Sequence, residues 1–83
     1  MQVRVWVTDV WDTVTVPAAP ETTVGAIKST ALAQAMGHPV DAADHAVKFR
    51  GALVTDERRT LADLKAPDHA PFIVLPAHRQ PVR

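Results

Sequence analysis

The chain has 83 residues, no cysteine, 47% hydrophobic residues and a formal charge of +0 at pH 7. A chain of this length folds as one domain burying roughly 60–65% of its unfolded surface, so its apolar residues serve one modest core. The balanced charge gives no electrostatic reason to bind nucleic acid or an anionic membrane, and without cysteine there is no disulfide framework, thiolate nucleophile or Cys-ligated zinc.

The first element is "MQVRVWV", whose period of two predicts a strand with Met1, Val3, Val5 and Val7 on one face and Gln2, Arg4 and Trp6 on the other. It alternates instead of setting a basic segment before an apolar one, so no signal peptide is expected. No apolar run reaches transmembrane length, and the expected location is the cytoplasm without membrane insertion. Thr8, Asp9 and Asp12 favour a turn. "TVTVPA" then resumes the alternation, with Val14 and Val16 inward and Thr13 and Thr15 outward, completing a β-hairpin.

A helix follows in "PETTVGAIKSTALAQAMGHP". Thr22 or Thr23 is its N-cap, and Gly37 and Pro39 mark its end. Val24, Ile27, Ala31 and Ala35 recur at helical spacing as a buried stripe, widened by Leu32 and Met36. "HPVDAADH" has the composition of a connection. In "AVKFRG", Val47 and Phe49 alternate against Lys48 and Arg50, and Gly51 ends the strand. Leu53 or Val54 precedes a polar turn, "TDERR", after which Leu61 and Leu64 anchor a short helical turn. "FIVL" is the last strand, with Phe72 and Val74 facing one way, Ile73 and Leu75 the other, and Pro76 closing it. Hairpin, helix, strand, short turn, strand is the order of an α+β fold with one helix packed on a small sheet.

Several of these pieces, in this order, resemble ubiquitin. They are "MQVRVWV", the P-x-T-T-V-x-x-I-K start from Pro20 to Lys28, the G-x-P-x-D after the helix, and "VKFRGALVTDERRTLADL". The most specific piece is Phe49-Arg50-Gly51 followed by Arg59-Thr60-Leu61-Ala62-Asp63 and an apolar final strand. The resemblance spans nearly the whole chain. It implies an α+β ubiquitin-like β-grasp fold over residues 1–76: a mixed four- to five-stranded sheet packed on one α-helix, with the first and last strands parallel and central. Residues 77–83 form a polar C-terminal tail.

Ubiquitin and its conjugated or sulfur-carrying relatives act through a flexible C-terminal Gly-Gly, because glycine lets the carboxylate thread a narrow channel. Here the corresponding stretch reads "AHRQPVR", and the three glycines are Gly25, Gly37 and Gly51. Covalent conjugation is therefore not expected. Other chemistry is equally sparse. His38, His45, His69 and His78 fall in loops or the tail without the i, i+4 spacing of a local metal pair, so solvated loop histidines are expected. Ser29 lacks a nucleophile-elbow motif, there is no glycine-rich phosphate loop, and the carboxylates lie in turns where they cap or solvate. Arg58 and Arg59, with Arg79 and Arg83, are interleaved with Asp56, Glu57 and Asp63, the composition of a salt-bridged turn rather than a phosphate-binding patch. Neither an enzyme nor a cofactor site is expected.

The strongest candidate site is the sheet face turned away from the helix. Alternation nominates Trp6, Ile73 and Leu75 as outward apolar residues. In the resembling fold Trp6 neighbours Ile73, with Arg4, Lys48 and Arg50 forming a basic rim. Ubiquitin uses this face as its main partner-binding patch, but the matching third-strand position here is the charged Lys48, so ubiquitin's own receptors should bind poorly. Two alternatives stay open. The tail folds back over Trp6, and Trp11 either extends the patch or plugs the end of the core. The resulting expectation is a non-conjugated ubiquitin-like interaction module or accessory protein with a protein partner. It resembles the stand-alone bacterial proteins of the YukD/EsaB type. The alternative is a small β-grasp subunit of a multicomponent monooxygenase, with a conjugated modifier or sulfur carrier behind it.

Overall fold

The computed structural model describes residues 1–76. Strand β1 (Gln2–Val7) turns through Thr8 to Trp11 into β2 (Asp12–Pro17), and the helix α1 (Val24–Met36) follows. A short 3-10 turn (Ala42–Asp44) leads into β3 (His45–Phe49), then β4 (Ala52–Leu53), the single-turn helix α2 (Leu61–Leu64) and β5 (Ala70–Pro76). The sheet order is β2-β1-β5-β3-β4. β1 and β5 are parallel and lie at its centre, and every other pairing is antiparallel. This is the mixed sheet and single main helix that the sequence resemblance implied. The one 13-residue helix and the four-residue α2 are the only α-helices among the described residues, and neither is long and apolar enough to cross a membrane.

Alternation produces the core as expected. Val3, Val5 and Val7 from β1, Val16 from β2, Val47 and Phe49 from β3, and Ala70, Phe72 and Val74 from β5 are all buried on one face. They meet Val24, Ile27, Ala31 and Leu32 of α1 and Leu61 of α2. Phe49 and Phe72 are register partners whose rings stack with centroids 4.7 Å apart. Burying side chains of this size is the main favourable term in a domain this small.

The helix ends where its caps place it. Thr23, extended at φ −83°, ψ 156°, accepts the Ala26 N–H on its hydroxyl. Thr22, the other cap candidate, instead accepts the Ala19 N–H in the preceding turn. Gly37 adopts φ 79°, the left-handed conformation glycine tolerates best, and its N–H reaches the Ala33 carbonyl. At α2, Thr60 and Asp63 form a reciprocal capping box. The backbone also ties the two helix starts together, since Val24 N–H donates to Arg59 C=O and Leu61 N–H to Thr22 C=O.

One charged side chain enters this layer. Lys28 of α1 is 5% exposed. Its ammonium donates to the His45 carbonyl at 2.8 Å and lies 2.7 Å from the Glu57 carboxylate. A lysine buried without such partners would carry a large desolvation cost, so this pair ties α1 to the start of β3 and to the loop before α2. His45 departs from expectation. It opens β3, its side chain is largely buried, and Nε2 sits 3.0 Å from Asp9, so it is not a solvated loop histidine.

Candidate outer-face site

The face of the sheet opposite α1 is built by the residues between the core positions. Strand register carries one row straight across it: Thr13 of β2, Trp6 of β1, Ile73 of β5, Lys48 of β3 and Leu53 of β4. A second row runs through Thr15, Arg4 and Pro71, and Leu75 lies beside Ala46 further along β5. Cross-strand neighbours at such positions sit close enough for their side chains to touch. Trp6, Ile73, Leu75, Arg4 and Lys48 therefore all reach one surface, with the arginine and lysine exposed and Ile73 and Leu75 half-buried.

Arg50 does not join them. It stands in the β3–β4 turn at φ 55°, followed by Gly51 at φ 80°. Two successive left-handed residues define the tight hairpin turn whose twist matches the flanking strands. That backbone takes Arg50 out of the strand alternation, and its guanidinium lies 4.8 Å from the centroid of the core residue Phe49. Counting in twos predicted a rim residue because the strand ends one residue earlier than the count assumed.

Two further residues complete the surface. Trp11, in the left-handed conformation at φ 54°, closes the β1–β2 turn and packs its ring at 5.6 Å and 50° to that of Trp6. It is 77% exposed, so it extends the patch and does not plug the core. Leu53 is 52% exposed at the far end of the central row. The sequence signal for Leu53 was its place two residues after Gly51, which becomes legible only once the turn is known. The expectation that residues 77–83 fold back over Trp6, and His78 with them, lies outside the described residues.

The electrostatics of the surface are simple. No outward strand position among the described residues carries a carboxylate, and neither Arg4 nor Lys48 has an ion-pair partner among them. Carboxylates with shifted affinities lie elsewhere. The Arg58 guanidinium, bonded at 3.1 Å, holds Asp56 below the usual aspartate value. The Gln2 backbone N–H at 2.9 Å does the same to Asp68. Both groups are exposed, the solvated and salt-bridged turn chemistry expected of them. Among the described residues no three His, Asp or Glu side chains converge as a metal ion requires. The arrangement offers an apolar, two-tryptophan surface with flanking cations.

No protein-family model and no curated protein sequence matches the chain. Among solved structures it is similar to Caldiarchaeum subterraneum ubiquitin, with a TM-score of 0.75 over 92% of this chain and 91% of that one, at 18% sequence identity. A five-stranded mixed sheet with parallel central strands, one main helix across it and this structural likeness together make the chain a small module with the ubiquitin-like β-grasp fold.

Proposed function

We propose that the protein is a non-conjugated ubiquitin-like interaction module or accessory protein that binds a protein partner through the outer face of its sheet. The observation that carries this reading is the exposed Trp6–Trp11 pair continuing into Ile73, Lys48 and Leu53 along one register row. Single exposed apolar residues are ordinary on a soluble domain, whereas a contiguous strip containing two tryptophans is the kind of surface that interfaces use. Arg4 and Lys48 supply the polar rim that sets orientation. The non-conjugated part rests on the lack of any Gly-Gly pair in the 83 residues, whose glycines are Gly25, Gly37 and Gly51. A partner of this kind needs no cofactor, nucleic acid or membrane, and the cytoplasm is the proposed setting. Among ubiquitin-like proteins the reading favours the stand-alone bacterial type.

Affinity capture with the wild type beside Trp6→Ala tests it. Loss of the captured partner with an unchanged melting temperature supports the proposal. Intact capture with melting lowered by several degrees makes Trp6 a packing residue and removes the reading. For the covalent alternative the decisive assay is adenylation: an acyl-adenylate formed at the protein's carboxyl end would overturn the non-conjugated assignment.

A further inference from the structure

A recess lies at the β3–β4 end of the molecule, around the edge strand and away from the Trp6–Trp11 pair. It has a volume of about 520 Å3, and its lining includes Phe49, Arg50, Leu53, Asp56, Arg59 and Leu64. This is the size range of recesses that hold a small ligand or a few side chains of a peptide.

Its chemistry is lopsided in a defined way. Phe49 and the half-buried Leu64 form an apolar floor, and Leu53 an apolar wall. Arg50 and Arg59 also line it, and neither has an ion-pair partner among the described residues. The one carboxylate in the lining, Asp56, is already engaged by Arg58, which bonds it through Nε and through its backbone N–H, both at 3.1 Å. The recess therefore presents two guanidinium groups without an ion-pair contact over an apolar floor, Arg59 lying near enough to Asp56 to help hold that carboxyl below its usual value.

Arg50 is also held in place. Its left-handed backbone is one that Asn, Asp or Gly adopts more readily at the first turn position, so an arginine there is unusual. The guanidinium rests on the Phe49 ring at 4.8 Å, while the same ring stacks on Phe72 at 4.7 Å. A planar cation supported on an aromatic face loses less freedom when it captures an anion than a lysine or arginine free in solvent.

The edge beside the recess decides what kind of anion-bearing molecule fits. β4 is the last strand of the sheet. Phe49 and Ala52 flank the two-residue turn as a hydrogen-bonded pair, and Val54 N–H bonds to Val47 C=O at 2.8 Å. By antiparallel alternation, the intervening Leu53 points its N–H and C=O outward to the open edge. Such a pair of backbone groups accepts an extended chain as an added strand.

We propose that this recess binds an extended acidic peptide segment. Its backbone pairs with Leu53, a large apolar side chain rests on Phe49 and Leu64, and an Asp or Glu carboxylate lies between Arg50 and Arg59. With one residue of edge available, the main chain fixes direction and register, and the two arginines with the apolar floor carry selection. The site shares Leu53 with the far end of the outer-face row but uses none of Trp6, Trp11 and Ile73, so it does not depend on the outer-face interaction.

The test is selection from a displayed library of random short peptides on the full-length protein, followed by amide chemical-shift mapping of the enriched sequences. Enriched peptides are expected to place an acidic residue close to a large apolar one and to shift the amides of Ala52 to Thr55. Their binding should weaken about tenfold in both Arg50→Gly and Arg59→Gln, the loss typical of an interface anchor. Arg50→Gly keeps the turn conformation and Arg59→Gln keeps the main-chain bonds of that residue, so each variant folds. Trp6→Ala should leave this binding unchanged, which keeps a failure here distinct from a failure of the outer-face proposal. No enrichment, shifts confined to the Trp6 face, or affinities indifferent to both arginine variants would overturn the proposal. So would displacement of the peptides by inorganic phosphate at comparable concentrations, which would make the recess a simple anion site.

Discussion

The two faces of one sheet are made from alternate residues of the same strands, yet they obey different rules. On the inner face Val5, Phe72, Val74 and Val47 are covered by α1 and one another, so almost any change there alters packing. On the outer face Trp6, Ile73 and Lys48 stand in the same register row one residue away, half-exposed or exposed. Nothing in the core requires a tryptophan, an isoleucine and a lysine at those positions. The difference teaches where to look for function in a small domain: at residues that share the strands' geometry without being needed for the strands' stability.

The sharpest way to break that contrast is a pair of truncations. Phe72→Ala empties the buried site where Phe72 stacks on Phe49 and should cost about 3–5 kcal/mol in urea unfolding, a large share of the roughly 4–12 kcal/mol expected for a domain of this length. Next in size is Lys28→Met. It strands the Glu57 carboxylate against the helix and should cost about 2 kcal/mol, below the usual figure for a buried pair because Glu57 is 30% exposed. Adding Glu57→Gln should restore most of that loss, and a double-mutant cycle showing no coupling would deny the pair its role.

On the outer face, Trp6→Ala should change stability by less than about 1 kcal/mol, a shift in melting of only a few degrees for a domain this size. A loss comparable with that of Phe72→Ala would erase the distinction between the faces. Asp68 gives a pH-dependent counterpart. Its carboxyl is held below the ordinary value chiefly by the Gln2 N–H, so its contribution is present above the unfolded aspartate value of about 4 and disappears as pH falls through the lowered one. Asp68→Asn should flatten the acid limb of the stability curve slightly, and an unchanged limb would refute the assignment. Smallest of all, Arg50→Gly should leave stability within about 0.5 kcal/mol, because relief at φ 55° offsets the lost contact with Phe49.

Most of the inner face was legible before any coordinates, since burial on a strand follows a period of two and needs only one variable per residue. The caps of the long helix were legible too, as Thr22 or Thr23 at its start and Gly37 at its end, whereas the choice of Thr23 and the Thr60 to Asp63 box came with the structure. The candidate site was legible as a list of outward residues, including the adjacency of Trp6 and Ile73. Arg50 was misplaced because alternation stops at a turn that requires left-handed residues, and a run of letters does not announce where it stops. Trp11 stayed ambiguous for the same reason, its direction being set by a positive φ at the end of the hairpin turn.

What the sequence determined by itself was therefore local: which residues alternate, which cap, and which segments are too polar to be core. Short-range sterics and backbone hydrogen bonding act between residues a few positions apart, so they leave their record in neighbouring letters. Only the tertiary structure decided that Lys28 meets Glu57 and the carbonyl of His45, that His45 meets Asp9, and that Arg50 and Arg59 line one recess. Those meetings depend on strand register, turn conformation and the seating of the helix. The chain as a whole sets these by burying its apolar surface, and no short stretch of it encodes them.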